Sequence, residues 1–154
     1  MATRPKRMLL SLMIVAHSCW LNGCESAHPT VEERDAWIAE HRHRLETGES
    51  DIAFYQTVNT NVLLAELAGM PELESIVFTQ ADISAEGLQH LKSYPNLREV
   101  SFVIQHNVDD SMIQQLRSCT QLKSITFDGT SVTDDGIRAL QEQLPNCQIS
   151  KGEW

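Results

Sequence analysis

Apolar residues in this chain return to the same columns every 24 or 25 positions. Leu73-x-x-Ile76-x-Phe78 recurs as Leu97-x-x-Val100-x-Phe102, then as Leu122-x-x-Ile125-x-Phe127. The Ile-x-Phe alternation has a period of two and predicts a short strand with one buried face. Further along, Ile83, Val108 and Val132 share one column. Leu88, Ile113 and Ile137 share a second, and Leu91, Leu116 and Leu140 a third, spaced for a short helix. Ser84, Asp109 and Thr133 stand at the expected N-caps of these helices. Glu86, Asp110, Asp134 and Asp135 follow in the first turns, where carboxylates favour the helix dipole. Ile52, Phe54, Leu64 and Leu67 fit the same columns as a degenerate first unit. Leu144-Pro145-Asn146-Cys147-Gln148-Ile149 parallels Tyr94-Pro95-Asn96-Leu97 but comes one residue short of the apolar spacing, which predicts a terminal cap. A strand and a helix of this size cannot close a core singly. Stacked, each unit buries its apolar columns against the next.

Upstream of the repeats, Thr30-Val31-Glu32-Glu33 fits the capping box, in which Thr30 and Glu33 each satisfy an orphan backbone donor. A helix to about Glu46 follows, with Gly48 as its stop. Trp37, Ile38, His41 and Leu45 fall on one stripe, while Arg34, Glu40 and Arg44 are expected to face water. Residues 30–48 thus form a capping helix and 49–154 the repeat domain.

A 24–25-residue unit of strand then helix resembles the leucine-rich repeat. The third copy, Leu122-Lys-Ser-Ile-Thr-Phe-Asp-Gly-Thr-Ser-Val-Thr-Asp-Asp-Gly-Ile-Arg-Ala-Leu140, is similar to the bacterial form L-x-x-L-x-L-x-G-T-x-V-T-D-x-G-L-x-x-L. The resemblance covers about residues 50 to 150. It implies an α/β fold: a short leucine-rich-repeat solenoid of about three to four strand–helix units. The sequence departs from the pattern at Ala81 and His106, where many members keep an Asn or Thr that bonds to the turn. It departs again at Met112, which stands where its neighbours have Gly87 and Gly136. Members of the family bind proteins on the concave sheet and share no catalytic residues.

In that architecture the strand positions between the buried columns point to the concave face. Here they are Ser75, Val77 and Thr79; Glu99, Ser101 and Val103; and Ser124, Thr126 and Asp128, with Tyr55 as an extension. Small hydroxyls, carboxylates and a few apolar groups suit a protein or peptide partner. The same small and β-branched residues also simply make good strands. So few units give a nearly flat face that cannot envelop a large ligand, and no cofactor is expected.

The first 23 residues read as an export signal. Arg4, Lys6 and Arg7 form a basic start, and Met8 to Ala16 an apolar run too short to span a bilayer. Leu21-Asn22-Gly23-Cys24 resembles the bacterial lipobox, although Asn22 is unusual at its position. The resemblance implies that Cys24 receives diacylglycerol, that cleavage follows and that the new amine takes an acyl chain such as palmitate. Several chains at one residue give firm anchoring where a single chain does not. Residues 24–29 then form a tether. Two alternatives stand beside this: release after Ala16-His17-Ser18 as a secreted protein, or a weaker lipobox at Cys19.

Charge narrows the partners. Without Arg4, Lys6 and Arg7, 9 basic residues face 21 acidic ones, a net charge of −12. Such a surface repels nucleic acid and anionic headgroups, so no nucleic-acid partner is expected. His41 and His43, two apart on a helix, do not share a face, so with His28 they make a poor metal set. Asp109-Asp110 and Asp134-Asp135 are explained as caps and first-turn charges, so no metal site is expected. Cys119 and Cys147 sit in apolar columns as small hydrophobes, and a disulfide between them stays open. No nucleophile is paired with a base, so no enzyme is expected. The sequence predicts a membrane-tethered protein-interaction module of the cell envelope, facing the periplasm or exterior. The alternative is a structural envelope lipoprotein with no dedicated ligand.

Overall fold

The structure, a computed structural model, describes residues 29–152. The signal segment 1–23, Cys19, Cys24, His28 and nearly all of the tether lie outside the described residues. Five strands, β1 (Asp51–Tyr55), β2 (Ser75–Thr79), β3 (Glu99–Val103), β4 (Ser124–Asp128) and β5 (Gln148–Gly152), form one parallel sheet in chain order. Between them lie α2 (Thr60–Glu66), α3 (Ala85–Gln89), α4 (Asp110–Ile113) and α5 (Asp134–Gln143), preceded by α1 (Val31–Glu46). Helices α3 and α4 tighten into 3-10 turns over His90–Ser93 and Gln114–Ser118. The domain is α/β.

The apolar columns are literal rows. Ile52, Ile76, Val100, Ile125 and Ile149 stand in register across the sheet, as do Phe54, Phe78, Phe102 and Phe127. The four phenyl rings stack with centroids 5.4, 5.3 and 5.3 Å apart and all are buried. Offset parallel rings at this spacing add about 0.5–1.5 kcal/mol per pair beyond burial. Helix α1 closes the N-terminal end of the row. Its capping box is complete, with Thr30 N donating to Glu33 Oε2 (2.8 Å) and Glu33 N to Thr30 Oγ1 (3.2 Å). Trp37 lies 5.4 Å from Phe54, and His41 stacks on Trp37 at 3.6 Å. Arg44 does not simply face water as expected. It is half-buried because its guanidinium is drawn to Glu49, with Nε donating at 2.9 Å, and to the His41 ring.

At the other end the expected cap is a full strand. The shortfall before Ile149 is absorbed at the Cys147 turn, and Gln148 N donating to Lys123 O (2.8 Å) restores the register. Lys151 then stands opposite Phe127, where a fifth phenyl would be, and its ammonium reaches Asp134 Oδ1 at 2.9 Å. A long aliphatic stem can cover the last ring while its charge stays in water.

The turns carry a repeat that the apolar columns do not reveal. The residue after each of the first four strands is left-handed: Gln56, Gln80, Ile104 and Gly129, with φ between 47° and 60°. Only the last is glycine. For β-branched Ile104 this conformation is strained. The polar groups missing at Ala81 and His106 are supplied beside them. Buried Gln105 donates to Ala81 O (3.0 Å), and Asn107 to Ile83 O (3.0 Å).

The N-caps divide into two kinds. Asp109 and Thr133 cap their own helices by accepting backbone N–H bonds. Ser84 stands at the cap position of α3, yet its hydroxyl makes no capping bond. Instead Asn61 of the preceding unit accepts from Ser84 N (3.1 Å) and donates to Ser84 Oγ (2.8 Å). Asp110 does the same one unit pair later, accepting from Thr133 N (2.8 Å) and Thr133 Oγ1 (2.6 Å). Asp110 is therefore an inter-unit staple, not only a first-turn charge. The staple needs room. A Cβ on Gly87 would fall 1.9 Å from Asn61 Oδ1, and one on Gly136 2.1 Å from Asp110 Oδ1. At the β3 unit the glycine is Met112 and the staple is gone; Glu86 bonds Ser84 of its own helix instead.

Candidate interaction face

Strand alternation sends one set of side chains into the core and the other away from it. Three outward rows result. The first is Asp51, Ser75, Glu99, Ser124 and Gln148. The second is Ala53, Val77, Ser101, Thr126 and Ser150, and the third Tyr55, Thr79, Val103, Asp128 and Gly152. All the residues expected there from sequence share this face. Glu99 and Tyr55 are exposed, and Ser75, Val77, Thr79, Ser101, Val103, Ser124, Thr126 and Asp128 are half-buried. Half-burial is what neighbouring side chains on an uncovered sheet impose. Sequence reasoning missed Asp51 and Ala53 because the first unit has Glu49 where the others have Ile76-preceding Leu73 and its equivalents. It missed Gln148 and Ser150 because the residue shortfall hid the fifth strand.

The face has an apolar centre. Val77 pairs with Ala53 and lies diagonal to both Tyr55 and Val103. Diagonal neighbours on one face are within reach of large side chains. Tyr55 is 63% exposed. Asp51, Glu99 and Asp128 stand around this centre, and none of the 15 outward positions is Lys or Arg. Toward β5 the face becomes small and polar. Thr126 and Ser150 hydroxyls approach to 3.3 Å, and Asp128 leans so far over Gly152 that a Cβ there would lie 2.2 Å from its Oδ1.

Two solved structures are similar to the chain. One is the leiomodin-1 actin-binding site 2, at a TM-score of 0.57 and 7% identity, with 82% of each chain covered. The other is a tropomodulin C-terminal domain from Caenorhabditis elegans, at a TM-score of 0.52 and 12% identity, covering 76% of this chain and 83% of that one. The likeness is one of fold. No protein-family model matches the chain, and a comparison with curated proteins gives no match.

The remaining candidate groups are accounted for by packing. Cys119 and Cys147 are free and buried. Burial pushes the Cys119 thiol up to about 11 and raises that of Cys147 too, so both stay protonated and unreactive at neutral pH. Tyr94, which shares the Cys119 column, donates to Leu64 O at 2.6 Å, and burial raises its phenol well above the ordinary range. His41 is buried, with Nδ1 against Trp37 O (2.9 Å), while His43 is exposed, so the two do not converge. Asp109 is held below the usual carboxylate range by Ser111 and the α4 backbone, and Asp134 by Lys151. Among the described residues no three His, Cys, Asp or Glu side chains are placed to hold a metal ion. No helix among them is long and apolar enough to cross a membrane.

Proposed function

We propose that this chain is a short leucine-rich-repeat solenoid tethered to a bacterial membrane through lipid on Cys24. It holds a protein partner on the open face of its sheet and performs no catalysis. The observation that carries this reading is the contrast between the two faces. One is packed dry with stacked phenyl and aliphatic rows, and the other is uncovered across five strands and presents Tyr55, Val77 and Val103 among carboxylates. A domain of similar fold is an actin-binding site in leiomodin-1, which supports use of such a scaffold for holding a protein. The anchor rests on the lipobox-like Leu21-Asn22-Gly23-Cys24 and the basic, apolar segment before it.

Affinity capture from native envelope extracts tests the face. Wild type is expected to retain partners that Glu99→Lys, Asp128→Lys and Thr126→Trp lose, with unfolding midpoints unchanged. Recovery of the same partners by every variant refutes the face. Intact mass with detergent partitioning tests the anchor separately: a mass increment lost in Cys24→Ser is expected, and an unmodified, water-soluble product refutes it.

A further inference from the structure

We propose that the open face takes a cationic protein segment, one that sets an aliphatic or aromatic side chain between Lys or Arg residues. This rests on the reading of that face as a protein-binding surface and adds the chemical class of what it holds. Three observations point to it.

The centre is apolar: Ala53, Tyr55, Val77 and Val103 are contiguous through the β1–β2–β3 register. Interface energy concentrates where such a centre receives an anchoring side chain. The charges around it have one sign. With strands about 4.8 Å apart and about 3.3 Å per residue, Asp51 and Glu99 stand about 10 Å apart, and Glu99 and Asp128 about 14 Å. Carboxylates so separated do not chelate one metal ion; they suit several cationic side chains on one extended partner.

These acids are also unpaired. Asp35, Glu49, Asp134 and Asp135 each engage an Arg or Lys, whereas among the described residues no ion pair engages Asp51, Glu99 or Asp128. Free carboxylates beside an apolar centre leave the partner to supply the opposite charge, by forked bonds where it is Arg. The same pattern disfavours a second copy of the chain placed face to face. That would set three carboxylates against three without a compensating cation, and like charges across an interface are costly. The chain as a whole, at −9, steers cationic partners in and anionic ones away.

The test uses the full chain and an immobilised library of random nine-residue peptides. Enriched peptides are expected to carry Lys or Arg on both sides of Leu, Phe, Tyr or Trp. Their affinity should fall about tenfold or more when salt is raised from about 50 to 500 mM. The isosteric variant Glu99→Gln/Asp128→Asn should weaken them similarly while leaving the unfolding midpoint in place. Enrichment of acidic or uncharged peptides that Val77→Lys still abolishes overturns the cationic class and leaves the face intact as a binding surface. Peptides that bind wild type, Val77→Lys and the charge variant alike overturn both. No enrichment overturns the proposal.

Discussion

An alanine at position 136 would bring its Cβ 2.1 Å from Asp110 Oδ1 and 2.5 Å from Asp110 Cγ. A carboxylate on a side chain can rotate away, so the collision itself is cheap. What is lost is the staple, two bonds to Thr133 that tie helix α5 to the unit before it. Charged hydrogen bonds contribute about 1.5–3 kcal/mol when shielded and less at a site as exposed as this one. Replacing glycine in a helix returns about 0.5–1 kcal/mol. Gly136→Ala is therefore expected to destabilise by about 1 kcal/mol in the parent chain and to stabilise in an Asp110→Ala background. Denaturation midpoints of the four variants decide it, and an unchanged sign across the two backgrounds would remove the staple from the account. The Thr133, Asp134 and Gly136 pattern was visible in sequence as cap chemistry. Its cross-unit partner was not, because nothing in the order of residues places Asp110 beside a helix that starts 24 positions later.

Helix α1 depends on a neutral imidazole. His41 is buried against the Trp37 ring, and both its nitrogens are engaged, Nδ1 with Trp37 O and Nε2 with the Arg44 guanidinium at 3.3 Å. Burial holds its pKa below the ordinary 6.5, and Arg44 pushes the same way against the weaker pull of Glu40 and Glu49. A histidine whose folded pKa is depressed binds fewer protons in the folded state. Its contribution is complete above about 6.5 and is lost as pH falls from there toward the folded pKa. Stability is thus expected to drop between about pH 7 and pH 5, a window above the ordinary carboxylate range. His41→Phe keeps a ring on Trp37 and should flatten the profile. A drop of equal size in that variant assigns the titration to another group. Much of this helix was legible beforehand. The capping box, the Trp37-Ile38-His41-Leu45 stripe and the stop near Gly48 follow from local rules that need no partner. The role of Arg44 was hidden because the loop residue Glu49 decides it, and a helical pattern stops short of its loop. Strand β5 was hidden for a related reason. Its register is set by hydrogen bonds to β4, which hold despite a missing residue in the column spacing.

Across the whole molecule, cohesion is one-dimensional: each unit touches its neighbours, and the phenyl row is the thread through all of them. Phe102 sits at the middle, with Phe78 and Phe127 both 5.3 Å away, and is fully buried. Truncating a buried phenylalanine costs about 3–5 kcal/mol, a large part of the 5–15 kcal/mol that hold a domain folded. In a long repeat array such damage can split unfolding into stages. Here the units are few and the helices between them as short as the four residues of α4, so no unit closes a core without both neighbours. Phe102→Ala is therefore expected to lower the denaturation midpoint as one transition, with a slope close to that of the parent because the same surface is exposed. A second transition, or a slope well below the parent's, would mean that the units on either side of Phe102 stand on their own. The open face would then be two independent patches. A partner spanning Tyr55 to Asp128 needs them to be one rigid surface, so the cooperativity of the row and the use of the face rise or fall together.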